Sequence, residues 1–234
     1  MKKIEKVIIY LIYFRDFILL TEATTVTTML ELVLLRHPET QWNKERLLQG
    51  HSDIPPLNPC VPESLVDALS TLVSPDVENH IRVYTSDLLR CALPAEDLHR
   101  RLSKQYPLQP LVKTPLLRER HFGNHEGKPY TTFDSTNARE LGEKLYRMQE
   151  MPNGESVAQC QERARSIASE FYEHRNDSCL VIALSHGCFI NYVLNELEGR
   201  SPDDLSQYRG AYNFEGFQLR FHGTKLRDMH SFPR

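Results

Sequence analysis

The strongest constraint on the fold is an alternation of short apolar runs with longer helical patterns, which starts at Leu30 and continues almost to the end of the chain. The apolar runs predict strands at residues 31–35, 81–84, 111–114, 179–184 and 216–221. Apolar residues at helical spacing predict helices at residues 62–73, 87–103, 155–174 and 188–198. Strands that alternate with helices are typical of α/β proteins, so we expect a three-layer sandwich in which helices flank a mostly parallel central sheet.

Residues 1–28 differ from the rest of the chain. An apolar stretch at residues 7–14 is interrupted by Arg15 and Asp16, and a threonine-rich tract follows it. Neither part carries a turn or capping pattern that would tie it to the sheet. We therefore expect a poorly structured N-terminal extension at residues 1–28 and one domain at residues 29–234. Two alternatives stay open, namely translation from Met29 and a helix that docks on a membrane surface or a partner.

The sequence favours a cytoplasmic protein without a membrane span. No apolar stretch reaches the roughly 18 residues that a spanning helix requires, and the N-terminal segment lacks the cleavage-site pattern of a signal peptide. The five cysteines are odd in number and widely spaced, which indicates a reduced compartment.

The charge balance excludes one class of partner. The chain has 28 Lys and Arg against 31 Asp and Glu, which gives a formal net charge of -3. Because a nearly neutral chain has no global basic field, we expect no nucleic-acid partner. An anionic ligand would have to be bound by a local cluster of cations.

Charged and nucleophilic side chains follow four of the predicted strands. Arg36 and His37 follow the first strand, Arg90 lies in the first turn of the helix after the second, Glu119 follows the third, and His186 follows the fourth. Each of them alone has an ordinary structural explanation. Since ligands of open α/β sheets bind at the carboxyl ends of the strands, their joint placement predicts a functional site.

Five ordered motifs carry a resemblance to a known family. They read LLRHPETQWN followed by LLQGHSDIPPLN, then YTSDLLRCALPAE, LLRERHFGNHEG, MPNGES and ALSHG. Over residues 31–231 the chain resembles the histidine phosphatase superfamily, which includes the cofactor-dependent phosphoglycerate mutases. The short interval between Glu119 and His186 is similar to that of the compact phosphatases, whereas mutases have a longer, lid-forming insertion there.

The resemblance implies a role for each matched residue. His37 would be the nucleophile that forms a phosphohistidine, and Glu119 would be the general acid and then the general base. Further residues would bind the substrate: Arg36, Arg90, His186 and Asn43 through side chains, and Gln49 and Gly50 through the loop. Glu155 of MPNGES would support the site without touching substrate. Pro38 stands where the family usually has glycine, and this substitution leaves the geometry of the nucleophile loop open.

These features predict a metal-independent phosphomonoesterase that acts on small phosphorylated metabolites and needs no cofactor. The alternatives within the family are a sugar bisphosphatase similar to fructose-2,6-bisphosphatases and a phosphoglycerate mutase. A metallohydrolase built on His37, Glu119 and His186 is disfavoured, because nearby arginines oppose a cation. A pseudoenzyme that only binds phosphorylated partners is a further alternative. We expect residues 124–153 to line the pocket and determine specificity; monomer and homodimer both stay open.

Overall fold

The computed structural model describes residues 29–75, 77, 80–135, 137–174, 178–201, 204, 208–223 and 225–233. The predicted N-terminal extension, residues 1–28, lies outside these ranges. Within them, no helix combines the length and apolar character needed to cross a membrane.

Six strands form one sheet with the order β3-β2-β4-β1-β5-β6. They are β1 (Met29–Arg36), β2 (Ile81–Ser86), β3 (Val112–Thr114), β4 (Cys179–Ser185), β5 (Gly216–His222) and β6 (Lys225–Phe232). The first four strands are parallel to one another, whereas β5 runs antiparallel to β1 and β6 antiparallel to β5. The predicted mostly parallel sheet is therefore confirmed.

Helices cover both faces of the sheet. They are α1 (Gln41–Lys44), α2 (Glu63–Ser70), α3 (Leu89–Leu102), α4 (Ala138–Arg147), α5 (Val157–Glu173) and α6 (Gly187–Leu197). Leu32 of β1 packs in one buried cluster with residues of α4, α5 and α6, while the next residue, Val33, packs in a second cluster with residues of α2 and α3. Because successive side chains of a strand point to opposite faces, the two clusters give the three layers.

The sequence did not predict three of these elements, namely the short helix α1, the helix α4 and the strand β6. The strand β6 lies at the edge of the sheet, and of its residues only Phe232 is fully buried, so its sequence shows no apolar run. The helix α4 falls within residues 124–153, a segment that contains none of the predicted helices. Asn137 caps it by accepting a hydrogen bond from the Glu140 amide at 2.9 Å, and its apolar side consists of few residues.

The register of the parallel strands brings their carboxyl ends together. Arg36 at the end of β1 lies beside Ser185 at the end of β4, and Thr85 of β2 lies beside Leu184. The residues that follow these strands therefore meet at one edge of the sheet, as we expected from the sequence.

Candidate active site

His37 directly follows β1 and is almost fully buried. Its amide donates to the Ser185 carbonyl at 3.0 Å, and the Asn213 side chain donates to the His37 carbonyl at 2.7 Å. The ring Nδ1 lies 2.6 Å from the carbonyl oxygen of Pro38. A carbonyl can only accept, so Nδ1 carries the hydrogen and Nε2 keeps a free lone pair.

The surroundings keep His37 neutral. Burial lowers the pKa of His37 well below its usual value, and the positive charges of Arg90 and Arg36 lower it further. A neutral imidazole with a free Nε2 lone pair is the form that can attack phosphorus. The Pro38 carbonyl thus orients the ring of His37.

Arg90 lies in the first turn of α3 and is completely buried. Its Nη1 donates to the Ser52 carbonyl at 2.8 Å and its Nη2 to the Gly50 carbonyl at 2.6 Å. Its Nε donates to Nδ1 of His186 at 3.2 Å. Three acceptors, two in the loop at residues 50–52 and one on His186, therefore fix the plane of the guanidinium.

His186 follows β4 and lies behind Arg90. Its ring centroid is 5.2 Å from that of His37, but the side chain is fully buried and is not part of the cleft surface. Burial lowers the pKa of His186 well below its usual value, and Arg90 and His37 lower it further. His186 meets the predicted site through Arg90, and its direct contact with a phosphoryl group stays a prediction.

Arg36, the last residue of β1, contributes a second guanidinium. Its Nη1 donates to the Ala211 carbonyl at 2.9 Å. Its buried Nε has no hydrogen-bond partner among the described residues. An unpaired buried donor costs roughly 1–3 kcal/mol, and Arg36 lines the cleft next to His37.

The carboxylate of Glu119 is bound to the start of α6. Its Oε1 accepts from the amides of Phe189 at 2.8 Å and Arg120 at 2.9 Å, and its Oε2 accepts from the Cys188 amide at 3.1 Å. Burial nevertheless raises the pKa of Glu119, although these three amides act in the opposite direction. A raised pKa makes the carboxyl group suited to donate a proton.

The backbone around Glu119 is held from two sides. Arg163 of α5 donates to the Arg118 carbonyl at 2.6 Å and to the Glu119 carbonyl at 3.1 Å, and His51 Nε2 lies 2.8 Å from the same Glu119 carbonyl. Glu155 binds the Arg163 guanidinium at 2.8 and 2.9 Å. Glu155 therefore reaches the Glu119 backbone through Arg163, and its supporting role in the site stays a prediction.

The predicted neutral residues come from the loop after β1. Asn43 Oδ1 accepts from the Thr40 amide at 3.0 Å, and Thr40 Oγ1 lies 3.0 Å from both Asn43 Oδ1 and Gln49 Oε1. This network orients Asn43 and Gln49, which line the cleft together with Gly50. Gly50 has a φ of +52°, and its carbonyl is one of the acceptors of Arg90.

These residues line one cleft of about 500 Å³, counting the open space at its entrance. The remainder of the lining is largely apolar and includes Leu47, Leu48, Phe122, Tyr130, Leu141, Leu145 and Tyr208. Three of these side chains come from residues 124–153, the segment that the sequence predicted to line the pocket. The individual side chains could not be predicted, because their contacts with the cleft come from the tertiary fold.

The described residues contain no group of three His, Cys, Asp or Glu side chains that could hold a metal ion. The charged groups that line the cleft are Arg36, Arg90 and Glu119, beside the neutral His37. The geometry thus brings a neutral imidazole, two guanidinium groups and a carboxyl group together in one cleft.

Comparison with known proteins identifies the family. A sequence profile of the histidine phosphatase superfamily, branch 1, matches residues 32–227, and the chain belongs to this superfamily. The predicted family and fold are thereby confirmed, and so is the prediction that the chain is a phosphatase of that superfamily.

The similarity of this chain to individual relatives is low, as their sequence identities show. The chain is 26% identical over 182 residues to the uncharacterized phosphatase PhoE of Bacillus subtilis, and the match covers 75% of this chain and 81% of PhoE. It is 31% identical over 143 residues to fructose-2,6-bisphosphatase TIGAR of Xenopus laevis, where the match covers 61% of this chain and 48% of TIGAR. The solved structure of a mycobacterial glucosyl-3-phosphoglycerate phosphatase superposes with a TM-score of 0.62 at 22% identity and covers 87% of this chain and 97% of that one. This last similarity shows a shared fold.

Proposed function

We propose that the protein is a metal-independent phosphomonoesterase that hydrolyses small phosphorylated metabolites through a phosphohistidine on His37. The observation that carries the proposal is the 2.6 Å contact between His37 Nδ1 and the Pro38 carbonyl. This contact leaves Nε2 free in a cleft that also holds Arg36, Arg90 and Glu119. Phosphoryl transfer depends mainly on positioning and on fixed positive charge, and this site supplies both.

In the first step, His37 Nε2 attacks the phosphorus atom. The N–P bond forms as the bond from phosphorus to the alcohol oxygen breaks, and Glu119 transfers its proton to the departing oxygen. In the second step, the Glu119 carboxylate takes a proton from water. The water oxygen attacks phosphorus, the N–P bond breaks, and inorganic phosphate leaves with the imidazole neutral again.

The two arginines stabilise the charge on the phosphoryl oxygens throughout. Arg90 is held by three acceptors, so it needs no reorganisation when the substrate binds. A phosphoryl oxygen near Arg36 would also reduce the cost of its buried, unpaired Nε.

A fructose-2,6-bisphosphatase-like activity is the second candidate. The similarity to TIGAR favours it, although the chain matches about half the length of that relative. A cytoplasmic location also remains part of the proposal, and the five cysteines form no disulfide with one another in the structure.

The test is phosphate release from a panel of aryl, alkyl and sugar phosphates in the presence of a metal chelator. We expect chelator-resistant turnover by the wild type and none by His37→Ala. Turnover that the chelator abolishes, or that His37→Ala retains, would contradict the proposal. No turnover of any ester by the wild type would instead support a phosphate-binding pseudoenzyme.

A further inference from the structure

The part of the cleft away from the phosphoryl site has an apolar lining. Its side chains come from separate segments of the chain. Leu47 and Leu48 follow α1, Phe122 follows Glu119, Tyr130 lies in a short turn, Leu141 and Leu145 lie in α4, and Tyr208 precedes β5. Leu48, Phe122, Leu141 and Leu145 are buried members of one core cluster. The apolar surface is therefore preformed by the packing of the domain.

The positive charges in the cleft lie at the end that would bind the phosphoryl group. Arg36 and Arg90 are the cations among the described lining residues, and both lie near enough to His37 to lower its pKa. A second anionic group on the substrate would enter the apolar part without a cation to pair with. Burial of an unpaired charge is strongly unfavourable, whereas burial of an aryl ring or alkyl chain is favourable.

A neighbouring hollow does not supply the missing cation. Arg139 and Arg209 line this hollow next to Tyr208. Arg209 binds Glu198 through two contacts of 2.8 Å, and Arg139 pairs with Glu143 at 3.4 Å. Each of the two guanidinium groups is thus already paired with a carboxylate.

We infer that the cleft selects phosphomonoesters whose alcohol part is apolar and uncharged, an inference that rests on the proposed function. The phosphoryl group would lie between His37 and the two arginines. The alcohol part would contact the apolar residues, with Phe122 and Leu141 among them. A bisphosphate or a phosphorylated carboxylic acid would be a poorer substrate.

The test compares phenyl phosphate with 4-carboxyphenyl phosphate, which differ by one anionic group. We expect the carboxylate to lower kcat/KM by about tenfold or more, mainly through KM. Equal or higher kcat/KM for the carboxylated ester, or for fructose 2,6-bisphosphate, would overturn the inference and leave the proposed function intact. Absence of turnover with every ester would overturn both.

A matched pair of variants tests the location of this specificity. Leu47 lines the cleft and is partly exposed, so Leu47→Arg introduces a cation without emptying the core. Leu57 is 45% exposed and is not part of the cleft lining, so Leu57→Arg is the control. We expect Leu47→Arg, but not Leu57→Arg, to shift the preference severalfold toward the carboxylated ester. The same preference in both variants and the wild type would place the selection elsewhere.

A different observation concerns Glu126. Its carboxylate, which belongs to a side chain only 13% exposed, accepts four hydrogen bonds. Oε1 accepts from the amides of His51 at 2.8 Å and Phe122 at 3.1 Å. Oε2 accepts from the Ser52 amide at 2.9 Å and the Ser52 hydroxyl at 2.7 Å. One carboxylate thus fixes the loop at residues 50–52.

The loop at residues 50–52 orients the guanidinium group of Arg90. The carbonyls of Gly50 and Ser52 are the acceptors for both terminal nitrogens of its guanidinium. A Cβ atom at Gly50 would lie 2.0 Å from Glu126 Oε1, so the carboxylate occupies space that only glycine leaves free. We propose that Glu126 is a positioning residue for Arg90, acting through the loop.

Glu126→Gln tests this role, because the amide nitrogen would replace one of the two oxygens and would then face two of the four donors. The readout is the inhibition constant for inorganic phosphate, measured well below the melting temperature. Asp97→Asn is the control, since Asp97 is similarly buried at 14% and accepts from the Val61 amide at 2.9 Å. We expect phosphate to bind about tenfold more weakly to Glu126→Gln and unchanged to Asp97→Asn. An unchanged inhibition constant in Glu126→Gln, with only a lower melting temperature, would overturn the positioning role.

Discussion

The Phe189 amide donates to Glu119 Oε1 at 2.8 Å and so joins the acid to the first turn of α6. The Cys188 amide of the same turn binds Oε2. Free amides at a helix start favour a carboxylate, whereas burial of Glu119 favours the neutral acid and dominates its pKa. In the proposed mechanism, this opposition would allow one carboxyl group to release a proton in the first step and to accept one in the second.

Substitution Glu119→Gln removes the transferable proton. We expect turnover of an alkyl phosphate to fall about 100-fold or more, because its leaving group needs protonation. An activated aryl phosphate should be slowed far less in the first half-reaction. Single-turnover rates with both esters measure the difference. Equal slowing of both esters would remove Glu119 from the acid role.

Substitution Arg90→Lys preserves the positive charge but removes the planar guanidinium group with its several donors. One ammonium group cannot bind the Gly50 and Ser52 carbonyls and His186 Nδ1 in the same geometry. We expect phosphate inhibition to weaken by about tenfold. Arg100→Lys, on the exposed side of the same helix, should leave it unchanged. Equal inhibition constants for wild type and Arg90→Lys would count against Arg90 as a phosphate ligand.

Alanine substitutions at two glycines separate the cost of backbone strain from the cost of steric overlap. Gly50 and Gly223 both have positive φ, at +52° and +58°, but, its chain neighbours aside, no atom of the described residues lies within 4 Å of a Cβ at Gly223. Alanine at either position should cost about 1 kcal/mol for the backbone conformation. Gly50→Ala should cost a further 1–3 kcal/mol through its overlap with Glu126. Chemical denaturation measures both values, and equal losses of stability would contradict the close contact.

The buried histidines predict an acid-sensitive fold. Because the pKa of His37 is lowered on folding, the unfolded chain binds more protons at that site once the pH falls to about its usual value of 6.5. Stability should therefore decrease as the pH falls through and below 6.5, and His186 acts in the same direction. The melting temperature of His37→Ala should depend less steeply on pH in this range than that of the wild type. Identical slopes would show that His37 does not titrate differently on folding.

The sequence predicted the sheet better than its surroundings. Buried parallel strands such as β4 are continuous apolar runs, and a residue that follows such a strand is placed at a known edge of the sheet. For that reason His37, Arg90 and Glu119 could be assigned to one site. The edge strand β6 lacks such a run, and α4 has too few apolar residues for a clear helical period.

The directions in which side chains point could not be predicted from the sequence. His186 lies at the predicted edge, yet its ring faces Arg90 and stays out of the cleft surface. The apolar lining combines Leu47, Phe122 and Leu141, which are far apart in sequence and meet only after folding. The motifs therefore indicated the family and the proposed reaction, whereas the apolar lining of the cleft became visible only in the structure.

The most direct measurement is the mass of the protein trapped during turnover. A rapidly quenched wild-type sample should carry one phosphoryl group on His37, stable in base and lost in acid, as expected for a nitrogen–phosphorus bond. His37→Ala should carry none and should release no phosphate. A wild type that turns over the ester without this adduct, or an active His37→Ala variant, would contradict the phosphohistidine mechanism.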